Sequence, residues 1–241
     1  TRLERSDADG PALLVERVQS VPALMALRDE WHALELESGC TSPFLTHEWT
    51  LAWWQNLRQQ KLSVADTLDL RVLRTPEGKL VAIAPMMITR RPSKGPLQFR
   101  QLQFLGADPN ITELRGLLSL PERVADVYRA LLDHIHACKA EWDWAVLSGV
   151  PAGHGFEALI AEREPRAVWT RDVPDYVLSL PDTWEELRSG LGRNIKESLR
   201  KCYNSLARDG LSFELEIVRT RTHVRNALGH FLRLHRARAL L

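Results

Sequence analysis

The sequence contains only three cysteines, and they do not form a pattern that would hold a metal ion or a disulfide framework. Cys40, Cys138 and Cys202 are far apart, no CxxC pair occurs, and no histidines stand at metal-ligand spacing. Scattered single thiols are typical of proteins from a reducing compartment. We therefore expect a protein without disulfides and without a metal.

Long apolar runs are also absent from this sequence. No stretch approaches the length of about 18 apolar residues that marks a membrane-spanning helix, and residues 1–10, TRLERSDADG, are polar. The sequence thus predicts neither a membrane span nor a signal peptide. We expect a soluble, cytoplasmic protein.

Several signatures of catalytic sites are missing as well. The GxSxG elbow of serine hydrolases, the HExxH motif of zinc proteases and the glycine fingerprint of dinucleotide sites do not occur. The GxG in SGLGRN (189–194) follows a predicted helix, which is more typical of a joint between helices than of a phosphate cradle. His134 and His136 point to different faces of a helix. The residues alone therefore leave the catalytic groups unknown.

What the chain does contain is ordinary globular composition. Of its 241 residues, 44% are hydrophobic and 26% are charged, which excludes intrinsic disorder. A chain of this size buries about two-thirds of its unfolded surface and needs no covalent staple. The length suits one large domain, or one and a half ordinary ones.

The charge is divided unevenly between the two ends of the chain. Residues 188–241 carry 12 Lys and Arg against four acids, whereas the preceding 187 residues carry 20 against 27. Such a division is typical of a domain boundary or a binding face. The basic segment is either a helix docked on an acidic neighbour or a phosphate-binding surface. It has few aromatic residues, so we expect no nucleic-acid partner.

Hydrophobic periodicity predicts an α+β protein with a mixed sheet. The first part should contain a strand at 12–19, helices at 22–37 and 46–59, an antiparallel meander over 66–119 with an irregularity at Pro85, a helix over 121–139, a strand at 142–147 and a helix at 156–164. The second part should contain strands at 167–180 and 212–218 and helices at 183–189, 193–209 and 222–240. This order excludes a TIM barrel and a doubly wound Rossmann fold.

A few residues of the predicted helices are candidates for a binding site. His47 and Glu48 either begin a helix or line a pocket beside Trp49 and Trp53. The two tryptophans either pack in the core or stack on a sugar ring or acyl chain. We expect Trp49 to be largely buried. His235 falls on the apolar face of the last helix. It is either a histidine that packs in the core with a hydrogen-bond partner or a residue of the binding site.

Three parts of the sequence together resemble a known family. They are PFLTHEWTLAWW (43–54), GKLVAIAPM (78–86) with FLG (104–106), and the passage from YVLSLPDTWEEL (176–187) to FLRLHRAR (231–238). They are similar, in the same order, to the acetyltransferase-like proteins associated with bacterial exopolysaccharide and cellulose biosynthesis. Those proteins have tandem acyltransferase domains and are related to the Fem-type aminoacyltransferases. The resemblance spans about residues 10–241.

This resemblance implies a GNAT-like acyltransferase fold, with a first domain at 1–180 and a linker helix and the start of an incomplete second GNAT-like domain at 181–241. It implies an acyl-CoA-dependent N-acyltransferase that uses acetyl-CoA or another acyl-CoA. The acceptor would be an amine of a sugar, glycan, cell-envelope component or small molecule. On this reading the substrate-binding residues are His47, Glu48, Trp49, Trp53, His235 and Arg238.

The sequence departs from that family in two ways. The acyl-CoA signature, Gln/Arg-x-x-Gly-x-Gly/Ala before a helix, is replaced by RGLLSLP (115–121), which lacks the glycines that let amides approach a diphosphate. We therefore expect this chain to carry mainly the substrate-side lobe. A non-catalytic, degenerate acyltransferase-fold interaction module is the alternative.

The second departure is that the family's chain continues beyond the LHRAR helix, whereas this one stops at Leu241. The sequence therefore predicts an incomplete second domain. An incomplete sheet leaves an apolar face uncovered. We expect residues 188–241 to bury an apolar stripe against a second copy of the chain, as a homodimer, or against downstream sequence; the stripe comprises Ile195, Leu199, Cys202 and Leu206.

Overall fold

The structure is a computed structural model that describes residues 12–107, 111–151, 156–170, 173–174 and 176–239. It divides into two compact units, residues 1–170 and 171–241. The domain boundary predicted after residue 180 falls inside the second unit. Across the described residues, no helix is long and apolar enough to cross a membrane.

The strands lie in the first unit and are short. They are β1 (Leu14–Val18), β2 (Gln60–Lys61), β3 (Val64–Leu68), β4 (Leu70–Arg74), β5 (Leu80–Ala84), β6 (Met86–Arg91), β7 (Phe99–Phe104), β8 (Leu118–Ser119) and β9 (Trp144–Val146).

The helices lie in both units. They are α1 (Val21–Ala26), α2 (Arg28–Ser38), α3 (His47–Asn56), α4 (Val124–Ala137) and α5 (Phe156–Arg163) in the first unit, and α6 (Trp184–Gly190), α7 (Arg193–Arg208) and α8 (Arg221–Ala239) in the second. Short 3₁₀ turns precede α3 at Pro43–Leu45 and α4 at Pro121–Arg123.

The strands form two sheets, in the orders β1-β4-β5-β8 and β2-β3-β6-β7-β9. Neighbouring strands are antiparallel except for β7 and β9, which are parallel. The antiparallel pairing predicted over 66–119 is therefore confirmed as far as β7, but the last step of the predicted meander is wrong, because the short β8 pairs with β5 in the other sheet and not with β7. The connection from β7 through α4 to β9 makes the sheet mixed, and the α+β class is confirmed.

The two sheets share continuous chain segments. β3 passes into β4 across Asp69, and β5 passes into β6 across Pro85. The Asp69 amide donates to the Met86 carbonyl at 3.1 Å, and the Leu105 amide donates to the Pro85 carbonyl at 2.8 Å. Proline cannot donate to a strand ladder, which explains why the pairing is interrupted at the position where the sequence predicts an irregularity.

The predicted helix 22–37 forms as two helices that meet at Leu27. The Ser20 hydroxyl caps α1 by accepting from the Ala23 amide at 3.3 Å. Gly39 ends α2 in a left-handed conformation with φ 64°, which glycine adopts without steric cost. The capping residues in the sequence therefore account for these boundaries.

Apolar side chains of the helices and strands form two core clusters. One includes Trp31 of α2, Leu70 of β4 and Ile83 of β5, all fully buried. The other includes Leu102 of β7 and Leu131 of α4. The amphipathic helix predicted over 121–139 thus packs on the strands as expected.

The second unit is helical, and two predicted strands are wrong. The described residues of 167–180 and all of 212–218 form no strand. The alternating side chains of the second segment, such as Phe213 and Leu215, are exposed. A strand needs a partner to bond with its backbone, and no strand occurs among the described residues of this unit. Local alternation alone therefore did not produce a sheet.

Candidate functional site

A cavity of about 230 Å³ lies beside the first turns of α4. Most of its surface is contributed by apolar side chains. Its lining residues are Ser42, Leu45, Leu114, Arg115, Leu117, Ser119, Pro121, Val124, Tyr128 and Pro151. A smaller cavity adjoins it and shares three of these residues: Leu45, Leu114 and Arg115.

The parallel strand pair positions this cavity. Leu114, Arg115 and Leu117, which line it, lie in the chain between β7 and β8, and Pro151 follows β9. The carboxyl ends of two parallel strands lie at the same sheet edge, and Val124 and Tyr128 of α4 complete this part of the lining. In sheets of this kind, ligands bind at the carboxyl ends of the strands.

Arg115 anchors the loop that forms one wall of the cavity. Its Nε donates to the Gly106 carbonyl at 2.7 Å, and its Nη2 donates to the Thr112 carbonyl at 3.0 Å. Its Nη1 donates to the Ser148 hydroxyl at 3.0 Å. The Arg115 guanidinium therefore joins the loop after β7 to the loop after β9 and holds the cavity open between them.

Hydroxyl groups beside the cavities lack internal hydrogen-bond partners. Ser42 Oγ and Thr50 Oγ1 are buried, and neither has a partner among the described residues. Ser42 lines the larger cavity, and Thr50, which is 1% exposed, lines the smaller one. Buried polar groups are usually hydrogen-bonded. These two hydroxyls are therefore unpaired polar groups beside the cavities.

Tyr128 provides a further polar group at the cavity. Its ring packs against Phe156, with ring centroids 4.5 Å apart. Burial, together with the negative charge of Glu157, raises the pKa of the Tyr128 phenol to about 12. The phenol is thus neutral at physiological pH and can donate a hydrogen bond. Among the described residues that line the cavity there is no carboxylate and no histidine.

The predicted site residues His47 and Glu48 lie at the start of α3 and not at this cavity. His47 is 2% exposed, and its Nε2 lies 3.0 Å from the Leu24 carbonyl oxygen. Glu48 contacts His32 Nε2 at 2.9 Å and Arg28 Nη2 at 3.4 Å. Partial burial alone would raise the pKa of Glu48, but the hydrogen bonds lower it by more. The pKa of Glu48 therefore lies below its ordinary value. Glu48 is therefore an ionised carboxylate.

The two predicted tryptophans differ in their degree of burial. Trp49 is mostly buried, as predicted: its indole Nε1 is buried, and its ring meets Phe44 edge-on, with ring centroids 5.0 Å apart. Trp53 is 5% exposed and belongs to the core. The most deeply buried residues of α3 are His47, Thr50, Trp53 and Trp54.

His235 and Arg238 lie on α8 in the second unit. Both are exposed, and His235 stacks on Phe231 with ring centroids 5.9 Å apart. The interpretation of His235 as a core histidine is therefore wrong. All described residues of α8 are exposed, so its apolar face has no covering within this unit. His47 and Glu48 are adjacent at the start of α3 in the first unit, whereas His235 and Arg238 belong to the second.

A buried cluster of charges was not predicted. Asp69 Oδ1 lies 2.6 Å from Arg71 Nη1 and 2.7 Å from Arg17 Nη2, and it also accepts from Gln19 Nε2 at 3.0 Å. Burial alone would raise the pKa of Asp69, but the positive charges of Arg71 and Arg17 and their hydrogen bonds lower it by more. The pKa of Asp69 therefore lies below its ordinary value. The signal was in the sequence, since two charged residues interrupt the apolar run from Leu68 to Leu73.

Comparison with known proteins does not assign this chain to a family. No family model matches it, and neither the curated proteins nor the solved structures contain a significant match. The geometry and the sequence resemblance are therefore the only guides to its function.

Proposed function

We propose that this chain is an acyl-CoA-dependent N-acyltransferase with a GNAT-like fold, and that its acyl group binds in the cavity beside α4. The observation that carries this proposal is the position of the cavity. It is lined by residues that follow β7 and β9 and by residues at the start of α4, so a ligand there would meet the carboxyl ends of two parallel strands and the first turns of a helix.

The size of the cavity suits the reacting end of a larger molecule. Complete small-molecule sites usually measure about 300–1,000 Å³, whereas this cavity measures about 230 Å³. The apolar lining fits an acyl group and the adjoining part of a pantetheine arm. The rest of an acyl-CoA would remain outside the cavity.

The side chains of the site have defined parts in such a reaction. When bound, an acyl-CoA thioester supplies the acyl group to an attacking amine. The reaction forms an amide bond, breaks the C–S bond and leaves the amine proton on the thiol. Ser42 and Tyr128 would donate hydrogen bonds that stabilise negative charge on the acyl oxygen. The rigid wall held by Arg115 would orient the two reactants.

A non-catalytic interaction module remains the second candidate. The observation in its favour is that the described residues lining the cavity include no carboxylate and no histidine that would accept the amine proton. In this case the cavity would hold no acyl-CoA.

Binding of acetyl-CoA separates the two candidates. A ligand that binds only the folded chain stabilises it by about 2.7 kcal/mol at 100 times its Kd. We expect acetyl-CoA to raise the Tm of the whole chain. An unchanged Tm at saturating concentrations would contradict the acyltransferase and support the module.

A cavity-filling variant tests the location of the site. Leu114 lines the cavity and is 41% exposed, so Leu114→Trp adds volume there with little effect on folding. The matched control is Leu62→Trp, because Leu62 is 78% exposed and does not line the cavity. Only Leu114→Trp should abolish the stabilisation by acetyl-CoA. Equal responses of the two variants would place the ligand elsewhere.

A further inference from the structure

Two histidines and one carboxylate converge on the packed pair of helices α2 and α3. His32 lies on α2, and His47 and Glu48 are the first two residues of α3. One potential ligand atom from each residue lies within 4.8 Å of the others. His32 Nε2 is 2.9 Å from Glu48 Oε1 and 3.0 Å from Oε2. The three groups are therefore close enough for one ion to bind between them after small side-chain movements.

The hydrogen bond of His47 determines which of its ring nitrogens is free to bind a metal. Its Nε2 lies 3.0 Å from the Leu24 carbonyl oxygen. A carbonyl oxygen only accepts, so Nε2 carries the proton and Nδ1 keeps its lone pair. Histidines that bind metals usually donate their other ring N–H to a carbonyl or carboxylate. His47 thus has the tautomer in which Nδ1 can bind a metal.

The three side chains differ in their exposure to solvent. His47 is buried, His32 is partly exposed, and the Glu48 side chain is 56% exposed. An ion can therefore enter from the Glu48 side. Three protein ligands would leave a coordination position for water, as in zinc sites with two histidines and one glutamate.

The ligand chemistry favours a transition metal over magnesium or calcium. Two imidazole nitrogens suit Zn²⁺, whereas Mg²⁺ and Ca²⁺ prefer sites made of oxygen ligands. Arg28 also contacts Glu48, at 3.4 Å, but its side chain is 60% exposed. An exposed ion pair contributes about 0–1 kcal/mol, so Arg28 can leave the carboxylate at little cost.

We propose that His32, His47 and Glu48 form a binding site for Zn²⁺ or a similar divalent transition-metal ion, which cross-links α2 to α3. This proposal does not depend on the acyltransferase activity. The sequence did not indicate the site because 16 residues separate His32 from Glu48. Only the packing of two helices brings them together.

Titration of the whole chain with Zn²⁺ tests the proposal. We expect binding at one site and a rise in Tm. Loss of a group that only orients a metal ligand weakens metal binding about 10- to 100-fold. His32→Ala and Glu48→Gln each remove a direct ligand, so each should weaken Zn²⁺ binding by at least that factor. Both side chains are at least partly exposed, so these variants should fold. Co²⁺ should give visible absorption bands with the wild type and not with either variant.

His134→Ala is the matched control. His134 Nε2 lies 3.6 Å from Cys138 Sγ, which makes this pair the rival Zn²⁺ ligand set. His134→Ala should leave Zn²⁺ binding and the Co²⁺ bands unchanged. The proposal is wrong if His134→Ala removes the binding, if His32→Ala and Glu48→Gln retain wild-type affinity, or if the wild type does not bind Zn²⁺.

Discussion

Trp53 and Trp49 lie one turn apart on α3, but we expect them to differ in their contribution to stability. Trp53 is 5% exposed within the core, whereas Trp49 is more exposed, at the edge of the buried face of α3. Truncation of a buried tryptophan costs about 3–5 kcal/mol, because both transfer energy and packing are lost. Trp53→Ala should lower the free energy of unfolding by that amount, and Trp49→Ala should lower it less. Chemical denaturation of both variants measures this difference, and an equal loss would contradict the assignment of the core face.

The buried phenol of Tyr128 makes stability depend on pH at the alkaline end. Its pKa is raised to about 12 in the folded chain, against about 10 in an unfolded one. The folded state therefore holds this proton more tightly, and the contribution to stability is complete below about pH 10. It is lost as the pH rises toward the folded-state pKa.

Tyr128→Phe removes this titration. The variant should lose less stability than the wild type when the pH is raised from about 9 to about 11. Unfolding curves at several pH values provide the measurement. Parallel pH profiles would mean that Tyr128 ionises as freely in the folded chain as in the unfolded one.

At the scale of elements, the junction between β3 and β4 depends on a buried ion pair. The side chains of Asp69 and Arg71 are 0% and 1% exposed. Removal of one partner of a buried pair leaves an uncompensated charge and costs about 3–5 kcal/mol. We expect Asp69→Asn to destabilise the chain by that order. Asp143→Asn, which breaks the more exposed pair with Arg100, should cost less than about 1 kcal/mol.

The same ion pair gives stability a dependence on acid pH. The pKa of Asp69 is lowered in the folded chain, so its contribution is complete above the unfolded value of about 3.9. That contribution is lost as the pH falls through the folded-state pKa. The wild type should therefore lose stability on acidification below about pH 4 more steeply than Asp69→Asn does. Equal slopes in denaturation experiments would show that Asp69 is not held ionised.

The elements also show what the sequence could predict. Periodicity predicted the antiparallel strands from β3 to β7, α4, and a helix that begins near Thr183, where the Thr183 hydroxyl accepts from the Glu186 amide at 3.2 Å. These features depend on local sequence. The prediction of a strand at 212–218 was wrong because a strand also needs a partner strand, which can lie elsewhere in the chain.

The candidate site was harder to predict than the fold. Its cavity is formed by Ser42, Arg115 and Tyr128, which are distant in sequence and belong to no short motif. The pocket predicted around His47 and Trp49 followed from neighbouring positions in sequence. In the structure His47 is buried instead, and its side chain hydrogen-bonds the backbone carbonyl of Leu24. The tertiary arrangement, and not proximity in sequence, decides which side chains meet at such a site.

At the scale of the whole molecule, the exposed apolar residues of the second unit favour self-association of the chain. Ile195 of α7 is 52% exposed and belongs to the stripe that was expected to meet a second copy. Burial of such a stripe would stabilise a dimer. We expect sedimentation velocity to show an association that increases with protein concentration.

Ile195→Glu should weaken that association because it places a charge on the stripe. The control is Asn204→Glu, since Asn204 is exposed and lies on the opposite side of α7. A wild type that is monomeric at all concentrations, or two variants that behave alike, would exclude a dimer through this stripe.

The pairing of β1 with β4 has a consequence for the order of folding. Arg17 of β1 and Asp69 are 52 residues apart, and all of α1, α2 and α3 lie in the segment between them. β6 and β7, by contrast, are joined by a short hairpin that begins at the pair Arg91 and Phe99. Closing the longer loop costs about 1–2 kcal/mol more entropy. The hairpin should therefore form early, while β1 joins the sheet edge late and is the first strand to detach.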